Sequence, residues 1–147
     1  MNEIADKTTE KTVEKIVEKA PAKKKKNKNK RTVPYGQVHI KATFNNTIIT
    51  FTDRKGGKLT ASSAGATGFK GSKKGTAYAA QVASEKAASD AKNIYSVSKV
   101  DVFVKGIGMG RDAAIKALSQ QDIKVDSITD VTGVAHGGVR PKKARRV

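Results

Sequence analysis

Val38-His39-Ile40-Lys41-Ala42-Thr43-Phe44-Asn45-Asn46-Thr47-Ile48-Ile49-Thr50-Phe51-Thr52 is the stretch from which the fold is read. Val38, Ile40, Ala42 and Phe44 alternate with His39, Lys41 and Thr43. A period of two marks a half-buried strand, with the apolar set on one face. Asn45-Asn46 breaks the alternation, and both residues tolerate the left-handed backbone of a turn. Thr47 to Thr52 is β-branched apart from Phe51, so the chain returns as a second strand. Asp53-Arg54-Lys55-Gly56-Gly57-Lys58 is a turn, and Leu59 to Ala64 reads as a third strand. Three short strands joined by tight turns predict an antiparallel meander.

Downstream, residues 65–75 form a glycine-rich basic loop containing Gly68-Phe69-Lys70-Gly71-Ser72-Lys73-Lys74-Gly75. Thr76 is placed to cap a helix running to about Lys92, with Ala79, Val82, Ala83 and Ala87 on one side. Alanine combines high helix propensity with close approach to a sheet. Val100 to Val104 is a strand of the buried type. Gly106-Ile107-Gly108-Met109-Gly110 turns it into a second helix at about 111–121, with Ala114, Ile115 and Leu118 as its apolar stripe. Ile123 to Thr132 carries a last, weaker strand. The fold class is α/β. The order β-β-β-α-β-α-β predicts a mixed five-stranded sheet packed by two helices, with disordered basic tails at both ends.

Upstream, the composition changes. The 147 residues carry a formal net charge of +17, from 30 Lys and Arg against 13 Asp and Glu. Residues 1–34 hold 11 basic and 5 acidic residues, and residues 140–147 hold 5 basic and none acidic. These 42 end residues therefore carry +11, while the 105 between them carry +6. The division expected is a basic extension at 1–34, a globular domain at 35–132 and a basic tail at 133–147. Lys23 to Arg31 packs like charges too densely to fold alone. It is either a solvated solubility tail or, the favoured reading, an arm that orders on phosphates.

Several function classes are excluded or disfavoured. No apolar run approaches the roughly 20 residues that span a bilayer, so no membrane association is expected. The N-terminus has no apolar centre to make it a secretory signal, and Glu3, Asp6, Glu10, Glu14 and Glu18 are too many acids for a transit peptide. The chain has no Cys, which removes disulfides and thiolate chemistry and suits a reducing cytoplasm. Trp is absent and aromatics make up 5% of residues, so base stacking on exposed rings is a weak option.

The motifs point the same way. Gly106-x-Gly108-x-Gly110 follows a strand and opens a helix, but a dinucleotide fingerprint wants its third glycine where Arg111 stands. A tight turn for helix–sheet packing is the favoured alternative. A third reading uses the helix N-terminus and Arg111 to hold a phosphate. In the 68–75 loop the glycines let backbone approach a polyanion, while Lys70, Lys73 and Lys74 neutralise phosphates. Phe69 is expected to pack inward. Asp53, Asp101, Asp112 and Asp130 fall in no common motif of the kind a metal nuclease needs. His39 reads as a solvent-facing strand residue, and His136, beside the tail, as either a phosphate or base contact or a plain loop residue. No catalysis, cofactor, metal or small-molecule substrate is expected.

These pieces together resemble a known family. Val38 to Ile48 with Thr52-Asp53-Arg54, Gly68 to Lys74 followed by Ala79-Ala80-Gln81-Val82-Ala83, and Val104-Lys105-Gly106-x-Gly108-x-Gly110-Arg111 resemble the universal small-subunit ribosomal protein eleven family in its bacterial form. Ser127 to Thr132, His136 and Arg140-Pro141-Lys142-Lys143 complete the likeness, which covers about residues 35–147. The resemblance implies a structural protein on the platform of the small ribosomal subunit, in the cytoplasm. It also implies small-subunit (16S) rRNA and neighbouring platform proteins as partners, with messenger RNA and the Shine–Dalgarno region nearby. It makes Asn45, Asn46, Arg54, Lys70, Gly71, Ser72, Lys73, Lys74, Arg111, His136, Arg140, Lys142, Lys143, Arg145 and Arg146 candidate RNA contacts. This sequence departs where the family often has Pro, at Ile107 and Met109. Gly137-Gly138-Val139 also stands where the family usually has Asn-Gly-Cys, and a doubled Pro is reduced to Pro141. The alternative class is a general nucleic-acid-coating protein, with a metal nuclease a distant third.

Overall fold

A computed structural model describes residues 31–143. The arm through Lys30 and the end of the tail, with Arg145 and Arg146, lie outside the described residues. Strands β1 (Tyr35–Ala42), β2 (Thr47–Thr52), β3 (Lys58–Ser63), β4 (Lys99–Lys105) and β5 (Lys124–Asp130) form one sheet in the order β3-β2-β1-β4-β5. The meander pairs antiparallel, His39 opposite Thr50 and Thr50 opposite Ala61. β4 joins β1 in parallel, Val38 opposite Val102, and β5 joins β4 in parallel. The mixed sheet is the expected one.

Helices α1 (Ala77–Tyr95) and α2 (Gly110–Gln120) cover the face that carries Val38, Ile40, Ile49, Phe51, Val100, Val102 and Val104. Ala83, Ala87, Ala88 and Ala91 of α1 meet Ala114 and Leu118 of α2 in the same core. The alanines explain how two helices fit over a narrow sheet, since a methyl group lets backbones approach. The fully buried Ser84 uses that closeness, its Oγ donating to the Ala114 carbonyl at 2.8 Å. Val82, expected on the packed side, is half-buried, and Ala80 and Ala91 take that side with Ala83 and Ala87.

The ends of α1 and β1 are among the boundaries that differ from expectation. α1 runs about one turn past Lys92 to Tyr95, which packs on the core. Ser96 then adopts a left-handed conformation, its N–H donating to the Lys92 carbonyl. β1 stops at Ala42, so Phe44 is not its last inward residue but 71% exposed. The reason lies in Thr43. Its N–H donates to the Asn46 carbonyl at 2.9 Å, and its hydroxyl both donates to that carbonyl and accepts from the Asn46 N–H. The turn therefore begins at Thr43 and throws Phe44 outward.

The other face of the sheet is open. His39 is exposed there, as expected, and its ring stacks on Phe103 with centroids 5.2 Å apart. Before β1, the Val33 N–H donates to the Tyr95 carbonyl, and the N–H groups of Ser98 and Lys99 donate to the Pro34 carbonyl.

Candidate nucleic-acid interface

The topology brings distant segments to one end of the sheet. β1, β4 and β5 finish there, β2 begins there, and both helices start there. Backbone bonds tie the loops together. The Gly108 N–H donates to the Ala42 carbonyl at 3.1 Å, Ala64 to Thr47 at 3.0 Å and Val131 to Val104 at 2.8 Å. Glycine is required at the tightest points. A Cβ on Gly108 would overlap the Thr43 carbonyl, and one on Gly75 would overlap the Phe44 carbonyl. A Cβ on Gly110 would likewise meet Thr47 Oγ1 and the Ala80 methyl. The 106–110 glycines thus serve tight packing of turn, helix and sheet, the reading favoured from sequence.

The basic loop sits on this junction as a formed structure. Gly71–Gly75 is one 3₁₀ turn, ended where the Thr76 N–H and hydroxyl donate to the Lys73 carbonyl. The same hydroxyl accepts from the Ala79 N–H and so caps α1, as expected. Upstream, Phe69 N–H donates to the Ala64 carbonyl, and the half-buried Phe69 ring meets Tyr78 edge-on, centroids 5.9 Å apart. Lys70, Gly71, Ser72 and Lys73 are exposed, and Lys74 is half-buried. Two ion pairs form among the described residues, Lys92–Asp122 and Arg111–Asp130, and neither involves this loop. Its lysines therefore present uncompensated charge from a pinned backbone.

Arg111 stands at the same end with intramolecular partners. Nη2 donates to Asp130 Oδ2 at 2.6 Å and Nη1 to the Gly106 carbonyl at 2.9 Å. Asp130 also accepts from the Thr132 hydroxyl and, at 2.8 Å, from its N–H. The Thr132 hydroxyl in turn accepts from the Gly106 N–H at 3.0 Å. The Thr132 hydroxyl and then its N–H, with Arg111 after them, hold the Asp130 carboxyl down at about 2. Arg111 thus fixes the turn and the departure of the tail. From residue 133 to 143 the chain forms no regular element, and His136, Arg140, Lys142 and Lys143 are exposed.

Arg54 is the candidate the fold separates from the rest. It lies in the β2–β3 turn at the opposite end, its guanidinium 4.2 Å from the centre of the Tyr35 ring. Tyr35 Oη donates to Asp101 at 2.8 Å and Asp126 at 3.1 Å, and Ser127 Oγ donates to Asp101 at 2.7 Å. The bond to Asp101 raises the Tyr35 hydroxyl above its ordinary range, and the Ser127 hydroxyl, with Tyr35 second, lowers Asp101. Arg54 belongs to this polar cluster.

Sequence reasoning missed the apolar side chains of the basic end. Phe44, Tyr78, Ile107 and Met109 are exposed by 71, 65, 65 and 75%. The available signal for Phe44 was its neighbour, Thr43, whose side chain suits a turn start better than a strand interior.

Exposed lysines, glycine-permitted close packing and a basic tail at one end suit a class of protein that meets a polyanion. Comparison with known proteins narrows that class. Residues 36–146 match the family described as Ribosomal protein S11. Two curated relatives, each named Small ribosomal subunit protein uS11, come from the Lens and Paris strains of Legionella pneumophila. Each is 54% identical over 124 residues, covering 84% of this chain and 93% of the relative. The chain belongs to the ribosomal protein S11 family. Members of that family are structural, non-enzymatic components of the small ribosomal subunit, and in bacteria the ribosome is cytoplasmic.

Proposed function

We propose that this chain binds small-subunit rRNA with the end of the domain where the three loops meet, and stabilises the RNA's folded shape on the platform near the messenger exit. The observation that carries the reading is convergence. Asn45, Asn46, Lys70, Gly71, Ser72, Lys73, Lys74 and the root of the tail come from three separate stretches of sequence and reach one end. Folded RNA presents phosphates and a shallow minor groove, so a fixed array of lysines and small backbone turns reads its shape. Arg140, Lys142, Lys143, Arg145 and Arg146 extend the array along the RNA, with His136 at its base. Arg111 holds the platform from behind, and Arg54 faces away from it. Neighbouring platform proteins are the partners expected at the remaining surfaces.

The test compares a platform rRNA fragment with duplex DNA at one fairly high salt concentration. The RNA should bind more tightly, and equal affinities would sink the specific reading. Lys70, Lys73 and Lys74 changed together to Gln should lower the salt slope by about one unit for each phosphate no longer neutralised. An unchanged slope removes the loop from the interface.

A further inference from the structure

We infer that the binding end also takes unpaired RNA bases, received by Phe44 with its neighbours Ile107 and Met109, and by Tyr78 backed by Phe69. This rests on the RNA reading above and adds a second kind of contact to the phosphates. Phe44 is the tip residue of the Thr43–Asn46 turn, and its backbone carbonyl lies against Gly75. Ile107 and Met109 flank Gly108, whose backbone lies against the Thr43 carbonyl. Three large apolar side chains thus radiate from one backbone junction into solvent, at 65–75% exposure. Tyr78 lies in the first turn of α1, just past Gly75, and Phe69 supports its ring from the side.

A surface of this kind needs a cover, because large apolar groups gain by leaving water. Charge decides what the cover is. The segments 43–46, 64–76 and 106–109 contain no acidic residue, and Lys70, Lys73 and Lys74 rise among them. The occupant is therefore anionic and has flat apolar faces. Duplex RNA hides its base faces, whereas looped or bulged nucleotides offer them beside their phosphates. Tyr78 also fits, since a ring held edge-on by Phe69 loses little freedom when a base lands on it.

The experiment uses the full chain, an RNA hairpin with 2-aminopurine in its loop, and a fully paired RNA duplex of equal length at the same salt. The native chain should prefer the hairpin and quench the loop base. Phe44→Ala should weaken hairpin binding about tenfold, leave the salt slope unchanged and leave duplex binding as it was. Phe44→Trp should restore affinity and quenching, which a folding defect would not allow. If Phe44→Ala and Met109→Ala bind the hairpin as tightly as the native chain, the base site is wrong while phosphate binding stands. It is also wrong if these variants bind RNA normally but lose only a protein neighbour. A native chain that binds neither RNA would instead overturn the RNA reading itself.

Discussion

Arg111 reaches Asp130 across 19 positions of sequence at 2.6 Å, and its other nitrogen holds the Gly106 carbonyl at 2.9 Å. One guanidinium thereby ties the start of α2 to the end of β5 and to the turn between β4 and α2. Since Asp130 also accepts from Thr132, the same carboxylate sets the direction in which the basic tail leaves.

This lock is sensitive to acid. The folded Asp130 carboxyl, at about 2, is more acidic than its ordinary value of 3.8. Its contribution is therefore complete above the ordinary value and is lost as pH falls through about 2. An NMR titration of the carboxyl should find that midpoint. Thr132→Val and Arg111→Gln should each raise it, because both side chains donate to the carboxyl in the native chain. Amide exchange at Gly106 should quicken in Thr132→Val, which removes its acceptor.

Gly108→Ala should cost about 1–3 kcal/mol, because the added methyl meets a backbone carbonyl that cannot move aside. Gly133→Ala, where nothing lies within 4 Å, should stay within about 0.5 kcal/mol. Urea unfolding of the two variants tests the interlock. Equal midpoints would remove the case for close packing at Gly108.

Ser84→Ala should cost about 1 kcal/mol as the bond to Ala114 disappears. Ser84→Leu should cost more, since the bulkier side chain forces α1 and α2 apart. Thermal unfolding that ranked Leu above Ala would contradict the tight fit between the helices.

Thr76→Ala should cost about 1 kcal/mol by removing the cap, and should also loosen the lysine loop by removing the hydroxyl, one of two donors to the Lys73 carbonyl. Thr76→Ser should keep both. Parallel stability and RNA-affinity measurements would show the two effects together. A destabilised Thr76→Ala variant with native RNA affinity would separate the cap from the loop.

Much of this was legible along the chain. The alternation of Val38, Ile40 and Ala42, the β-branched run from Thr47 and the cap at Thr76 each report on local geometry, and local geometry decided them. Phe44 failed for the same reason: alternation continues to it, but the Thr43–Asn46 bonds end the strand first. Arg111 reads as a free basic residue because its partner stands 19 residues away. Arg54 reads as one more cation of the set, since sequence does not say at which end of a sheet a turn lies. Val82 and Ala80 exchanged places on α1 because the sheet and α2 together bury a wider arc than one stripe.

The union of the loops has a consequence for the order of events as the chain is made. Phe44 and Gly108 are drawn together by the parallel pairing of β1 with β4, and the tail is aimed by Asp130 at the end of the last strand. A nascent chain that has emerged only through α1 holds the lysine loop and its Phe44 contact but lacks the 106–110 turn and the tail. On the proposed reading, recognition waits until nearly the whole domain has been synthesised, and a product truncated after α1 meets RNA with an incomplete surface.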